Sequence, residues 1–396
     1  MIHPRPVTDP STAPFVVLSA RLAAGLERDP TRRFHFRVPQ RWRSPHLENP
    51  FAAEAELRVL QWFESLGCSP TEVERAKKFD AAGYVGIPFP MLSREKTIRI
   101  AKYLSLWLLW DDVEVEKQEG RWRIEVGHVL ADQRPERMTR FDEGWWQLLG
   151  ELAIQRSPAW IERLCEAMAL WNAAAVEEAV ATRAHRERGE VLSFDRQMQL
   201  RIATIGMYAT IHLLEDAQNF ERTREFHAHP TVQRLEALAG QIVGLGNDLL
   251  SLGKDCAEDQ CNLVTTLMRE RDISIETAIE RLVRMHDEAL EEFDRLGDWL
   301  ENNLAKPIPQ LGRWLQDLRY ASLGFSLWES QAPRYTAHKI VVGGRIIGPQ
   351  FSFFPPQLSA PLSTRRGAPP SSRRLSAPPS GRRFAMASML DFPEDS

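Results

Sequence analysis

The stretch Ser93-Arg-Glu-Lys-Thr-Ile-Arg-Ile-Ala-Lys-Tyr-Leu-Ser-Leu-Trp107-Leu-Leu-Trp-Asp111-Asp112-Val-Glu114-Val-Glu116 decides how this chain is read. Ser93 can cap a helix, and Glu95 suits its positive first turn. No proline or glycine follows until Gly120, so nothing interrupts the helix. It is largely apolar up to Trp110 and then meets four acids within six residues. Asp112 and Glu116 are four apart and share a face. Asp111 and Glu116 fall roughly 140° apart around an ideal α-helix. Like charges beside an apolar run repel one another, and a cation among their oxygens relieves that cost. Hard Mg²⁺ suits carboxylates and keeps waters and substrate phosphates as its other ligands. The plainer alternative is a helix end reaching solvent. Acids at a helix C-terminus oppose the macrodipole, which counts against that alternative.

Proline places this helix within a larger pattern. Of 26 prolines, eight lie in residues 1–50 and eight in residues 351–396, but only Pro135, Pro158 and Pro230 fall between Met91 and Lys306. Proline breaks helix interiors, so the middle of the 396-residue chain can be mostly helical and the ends cannot. Helical stretches are expected over 52–66 (closed by Gly67), 93–117, 157–187, 193–220, 231–254, 274–304 and 310–331. Strand-like alternation is nearly absent until KIVVGGRIIG at 339–348, a short hairpin or a loose extension. The fold class is therefore all-α, a helical bundle able to surround a central cavity.

The ends differ in composition. Residues 1–50 read as a flexible Pro/Arg-rich leader and strap, with no clear basic start of a signal peptide. Residues 51–340 form the helical domain. Residues 341–396 carry a Ser-x-Arg-Arg theme at 363, 371 and 380, too polar to bury a core, and read as a disordered tail. The alternative for this tail is a basic segment that touches an anionic surface. The formal net charge is −4; residues 351–396 hold six Arg against three acids, which leaves −7 on residues 1–350. That balance argues against a general nucleic-acid binder. No run of 18 apolar residues exists, so no transmembrane helix is expected. Cys68, Cys165, Cys256 and Cys261 form no CxxC pair, which points away from a zinc site or disulfide framework and toward the cytoplasm.

A second segment carries chemistry: Gly240-Gln-Ile-Val-Gly-Leu-Gly-Asn247-Asp248-Leu-Leu-Ser251-Leu-Gly-Lys254-Asp255. Asn247, Ser251 and Asp255 recur every fourth residue and form one stripe along a helix, flanked by the apolar Ile242, Val243, Leu245, Leu249, Leu250 and Leu252. A buried polar stripe must be satisfied. A carbonyl, a hydroxyl and a carboxylate at this pitch can chelate one hard cation, or can form a hydrogen-bonded seam between helices.

Together the two segments resemble the class I terpene synthases of the microbial type. Asp111, Asp112 and Glu116 match the aspartate-rich motif in its DDxxxE form. Asn247, Ser251 and Asp255 match the NxxxSxxxE metal triad, with Asp255 in place of the usual Glu. Asp is one methylene shorter, so the third ligand must approach more closely or bind through water. Arg201, 46 residues before Asn247, stands where the family has a diphosphate-sensing arginine, and Gly206 can mark the family's helix break. Arg334-Tyr335 matches the family's late Arg-Tyr pair; Arg319-Tyr320 competes but falls inside a helix. The resemblance spans about residues 50–340.

The resemblance implies a class I terpenoid synthase bundle, probed here by four motifs in order, with disordered extensions at both ends. It implies Mg²⁺ (three ions, with Mn²⁺ as a substitute) and ionisation of a prenyl diphosphate, farnesyl diphosphate by preference, followed by carbocation cyclisation to a terpene hydrocarbon or alcohol. Arg201, Lys254, Arg334 and Tyr335 would bind diphosphate, consistent with the planar arginine fork that suits phosphate. Trp107, one turn before Asp111, and Trp328, six residues before Arg334, are candidates to face the cation, with Phe79, Phe89, Ile205 and Leu108 as further lining. Most of the 12 Trp must be plain core. No general base is evident, and the released diphosphate would take the final proton. A monomer or homodimer is expected. A geranyl (including methylated geranyl) or geranylgeranyl substrate, an isoprenyl diphosphate synthase and an inactive helical relative are the competing readings. The Asn/Ser/Asp set disfavours chain elongation, which uses two aspartate-rich motifs.

Overall fold

In the computed structural model, the described residues are 15–17, 33–44, 48–117, 120–305, 308–336, 339–342, 345–347 and 350–353. All belong to one compact unit, Met1–Pro355. The Ser-x-Arg-Arg tail and most of the leader lie outside the described residues.

Fifteen α-helices run through the described residues. They are α1 Ala52–Ser65, α2 Pro70–Lys77, α3 Ala81–Gly86, α4 Arg94–Trp110, α5 Val126–Leu130, α6 Arg140–Ala153, α7 Pro158–Arg188, α8 Phe194–Thr204, α9 Met207–Gln218, α10 Arg224–His227, α11 Pro230–Ala257, α12 Leu263–Arg271, α13 Ile275–Leu300, α14 Pro309–Glu329 and α15 Pro333–Thr336. Local chemistry sets many of the starts. Ser157, Ser193 and Ser274 accept from the backbone N–H three residues on. Capping boxes Ser69/Glu72 and Thr139/Asp142 start α2 and α6. Proline spacing gave no hint of α6 or α12. The helix expected over 193–220 divides at Gly206, whose φ of +83° ends α8 and starts α9.

The helix α11 lies at the centre, packed on α13 and α14, with α8 and α9 also against it. Its glycines let neighbours close in: a Cβ at Gly244 would meet Arg201 Cγ at 3.2 Å, and one at Gly246 would meet Ser326 Oγ at 2.7 Å. This approach sets Arg201 beside Asn247. On the other side α1 packs against α4, and α4 leads directly into the carboxylates.

The strap is partly held down. Phe34, Phe36 and Trp42 are buried. Phe36 stacks on Phe353, with centroids 4.8 Å apart, and meets His286 edge-on. Trp42 Nε1 donates to Asp294 at 2.9 Å. These apolar anchors, with Arg41 2.8 Å from Asp294, hold the part of the expected strap that lies in 33–44. Strand β2 (Arg33–His35) pairs in parallel with β5 (Gln350–Ser352). Strand β1 (Phe15–Val17) pairs in parallel with β3 (Lys339–Val342), and β3 turns back on β4 (Arg345–Ile347). Within 339–348, the described strands pair antiparallel, Ile340 opposite Ile347.

Candidate active site

The last turn of the carboxylate helix is not α-helical. Residues Asp111–Val115 form a π turn, and Glu116 N–H donates to Asp111 C=O at 3.0 Å. An i→i+5 turn brings residues five apart close to one face. The angle of roughly 140° expected for Asp111 and Glu116 on an α-helix therefore collapses. Oxygens of Asp111, Asp112 and Glu116 all lie within 4.8 Å of one another. Burial first, and then the charges of Glu116 and Asp112, push the Asp111 carboxyl well above its ordinary range. Arg334 pairs with Asp112 through two hydrogen bonds, 2.7 and 2.8 Å.

The facing wall is α11. Ser251 Oγ donates to Asp255 Oδ2 at 2.5 Å, and Asn262 Nδ2 reaches the same oxygen at 2.8 Å. Arg201 Nε lies 2.6 Å from Asp248 Oδ1, and its Nη2 donates to Asn247 Oδ1. Asp248 is also held by Leu263 N–H at 2.7 Å. Burial, only partly offset by Arg201, lifts the Asp248 carboxyl to about 6. Lys254 Nζ sits 2.9 Å from Glu258 and 3.7 Å from Asp255. Tyr335 Oη is 3.5 Å from Asn247 Nδ2.

One cavity of about 760 Å³ is lined by both walls. It reaches Asp111, Asp112 and Glu116 on one side and Asn247, Ser251 and Asp255 on the other, with Arg201, Lys254, Arg334 and Tyr335 between. All the residues proposed from sequence for metal or diphosphate thus share one space. Trp107 and Trp328 line it too, as do Leu108 and Ile205. Phe79 and Phe89 are not among its lining residues. Phe79 is buried beneath the Arg334 guanidinium, 5.6 Å from its ring centroid, and Phe89 packs edge-on against Phe325. Trp328 is held in place: its Nε1 donates to Phe79 C=O at 3.0 Å, and its ring stacks on Tyr84 at 4.1 Å. Arg319 is buried against Asp294 and Glu301, away from the cavity lining, so the competing Arg319-Tyr320 pair belongs to the scaffold.

Several cavity residues were not singled out from the sequence. Trp171 meets Trp107 edge-on at 5.0 Å and donates from Nε1 to Thr204 C=O at 2.8 Å, beside the Gly206 break. Its spacing on α7 looks like ordinary core, so no signal marked it. Glu178 faces Arg201 at 4.0 Å. Glu329, on the cavity wall, accepts from Asn247 Nδ2 at 2.6 Å. Burial, with the nearby acids Asp248 and Asp255, lifts its carboxyl to about 8, against the pull of Asn247 and Arg201. The signal was present: Glu329 is the one acid in the otherwise uncharged run Ala321–Gln331.

The donor chemistry fits hard divalent cations at both walls. Three crowded carboxylates, of which Asp111 and Glu116 are pushed up in pKa, and a carbonyl, hydroxyl and carboxylate on one helix face, are oxygen-only sets of the kind that Mg²⁺ takes. A second cluster, His212, Glu215 and His227, also brings its ligand atoms within 4.8 Å. It fits a cation poorly, because Arg222 Nε and Nη2 both lie 2.7 Å from Glu215 Oε1. The guanidinium already occupies that position.

Comparison with known proteins agrees with this geometry. Residues 102–292 match the family described as terpene synthase family 2, C-terminal metal binding. The chain is 25% identical over 280 residues to the 7-epi-alpha-eudesmol synthase of Streptomyces viridochromogenes, covering 68% of this chain and 77% of that protein. It is 26% identical over 140 residues to the germacrene A synthase of Nostoc punctiforme, but that match spans only 43% of the relative's length. The linalool/nerolidol synthase structure from Streptomyces clavuligerus superposes with a TM-score of 0.62 at 20% identity, over 75% of this chain and all of that one. No helix among the described residues is long and apolar enough to cross a membrane. The two metal-type walls, their order in the chain and these relatives all indicate a class I terpene synthase of the microbial type.

Proposed function

We propose that this cavity ionises a prenyl diphosphate, farnesyl diphosphate by preference, and cyclises the resulting cation to a terpene hydrocarbon or alcohol. The observation that carries the reading is the convergence of the two oxygen walls and of Arg201, Lys254, Arg334 and Tyr335 on one cavity. The farnesyl preference rests on the eudesmol synthase relative, whose name specifies (2E,6E)-farnesyl diphosphate.

Asp111, Asp112 and Glu116 would hold Mg²⁺ at one wall and Asn247, Ser251 and Asp255 at the other. When bound, such ions neutralise charge that develops on a leaving oxygen. Arg334 offers a planar fork, already aimed from its pair with Asp112, and Arg201 and Lys254 add charge from α8 and α11. Donors fixed before the reaction cost no reorganisation as the C–O bond breaks. The allylic carbon then carries the positive charge. The Trp107, Trp171 and Trp328 rings line its space, and each desolvated aromatic face stabilises a cation by about 0.5–2 kcal/mol. The diphosphate, held by the same arginines, accepts the final proton.

Incubation with Mg²⁺ and geranyl, farnesyl or geranylgeranyl diphosphate, followed by gas chromatography, tests this. Terpene product from farnesyl diphosphate, lost on chelation of the metal, is expected. No volatile product and no released diphosphate from any of the three would overturn it.

A further inference from the structure

Glu329 closes α14 on the cavity wall, 3% exposed, and nothing in the chemistry above uses it. Its Oε1 accepts from Asn247 Nδ2 at 2.6 Å, while its Oε2 is buried without a hydrogen-bond partner. A primary amide is planar, with its acceptor on one side and its donors on the other. A carboxylate oxygen on the Nδ2 side forces Oδ1 to the opposite side. The reversed amide would set acceptor against acceptor. Oδ1 indeed points to Arg201, which it holds together with Asp248. Ser251 and Asp255 follow one and two turns along the same helix face.

We propose that Glu329 is a positioning residue for the α11 metal site, clamping the Asn247 amide so that Oδ1 faces the cation position. The inference rests on the metal-dependent reading above. As Arg201 turns to a diphosphate, Oδ1 loses its present donor. Glu329 then keeps the amide from rotating, and Oδ1 is free to ligate beside Ser251 Oγ and Asp255. Groups that orient a metal ligand from behind in this way are commonly worth 10–100-fold in metal affinity. The shorter Asp255 makes such support matter more, because one donor of the set already reaches less far.

The test is Mn²⁺ binding to the full chain with inorganic diphosphate present, followed by electron paramagnetic resonance. Glu329→Met should weaken the binding about 10–100-fold, while Glu329→Gln, which keeps a carbonyl acceptor for Nδ2, should restore most of it. Glu329→Ser serves in place of the Met variant if that one does not fold. In an Asn247→Ala background, Glu329→Met should cost nothing further, because the effect passes through the amide. Unchanged affinity in Glu329→Met overturns the proposal, and so does an equal loss in the Asn247→Ala background, which would make Glu329 a ligand in its own right. If the wild-type chain binds no Mn²⁺ with diphosphate, the metal-dependent reading falls first and takes this one with it.

Discussion

Arg334 Nη1 and Nη2 bond the two oxygens of Asp112 at 2.7 and 2.8 Å, joining α15 to the π turn across 222 residues of chain. The pair is half a binding site at rest: a cation-type donor set and an anion-type donor neutralise each other. Either partner becomes available only when the other finds a better one. On the proposed reading, substrate and metal would be coupled at this point: a diphosphate that draws off Arg334 would free Asp112 for a cation.

Replacing Arg334 should show that coupling. Arg334→Lys keeps the charge but loses the two-pronged bond, and Arg334→Ala loses both. The Ala variant should lower kcat by about 10²–10³-fold, the range for removal of one preorganised donor. The Lys variant should fall between it and the wild type. Turnover with farnesyl diphosphate under saturating Mg²⁺ measures this, and an Ala variant within a factor of a few of wild type would remove Arg334 from the site.

Asn262 was not visible as a functional residue, yet it holds the weakest-looking member of the triad. Its Nδ2 reaches both Asp248 C=O and Asp255 Oδ2 at 2.8 Å. Asn262→Ala should leave Asp255 with the Ser251 hydrogen bond and the more distant Lys254 ammonium at 3.7 Å. The Mg²⁺ concentration for half-maximal rate should rise about 10-fold or more, as for other supports of metal ligands. By contrast, Asn247→Ala removes a proposed ligand outright and should abolish turnover while the far-ultraviolet circular dichroism stays that of the wild type. Normal cyclisation by Asn247→Ala would show the metal assignment to be wrong.

The sequence made the helical class legible because proline is kept to the first turns of the long helices and is dense at the ends. It also showed both donor sets, because every fourth position on α11 is read directly from spacing. What it did not show depends on departures from the ideal helix. Asp111 joins Glu116 only through the π turn, and no residue spacing announces an extra residue in a turn. Phe79 and Phe89 are apolar residues near the site in sequence, but spacing cannot tell the cavity side of a wall from its back. Glu329 and Trp171 owe their place to contacts between helices, Glu329 with Asn247, 82 residues away, and Trp171 with Thr204 on the next helix. The docking of Phe36 on Phe353 likewise joins the two ends of the compact unit, a pairing that local composition does not record.

Gly206 offers a test of the break between α8 and α9. Its φ of +83° disfavours any residue with a Cβ, and that Cβ would lie 2.5 Å from Trp107 Cη2. Gly206→Ala adds backbone strain of about 1–2 kcal/mol to overpacking of about 1–3 kcal/mol. Thermal unfolding should show a clear loss of stability. Trp107→Leu in the same chain should recover the packing part and leave the backbone part. A Gly206→Ala midpoint equal to that of wild type would mean that the break is not rigid.

The cluster around Glu215 predicts how acid acts on the fold. Burial raises the Glu215 carboxyl, but Arg222, with His212 and His227 each 3.4 Å from Oε1, outweighs it and holds the group far below the ordinary carboxylate range. A depressed folded pKa gives stability that is present above the unfolded value of about 4.3 and is lost as pH falls below it. His227 is also depressed, by burial first, so its neutral form is the native one. Unfolding lets it take up a proton near its ordinary pKa of about 6.5, which destabilises the fold as pH drops through that region. Both groups thus act in the same direction. The thermal midpoint should decline from pH 7 to 5 through His227 and more steeply below pH 4.5 through Glu215. Glu215→Gln takes one carboxylate from the buried Arg222 and leaves it Glu236 at 2.7 Å, so it should cost at most about 3–5 kcal/mol at pH 7 and flatten the lower part of the profile. A Glu215→Gln profile parallel to that of wild type at lower pH would assign the acid sensitivity to other groups.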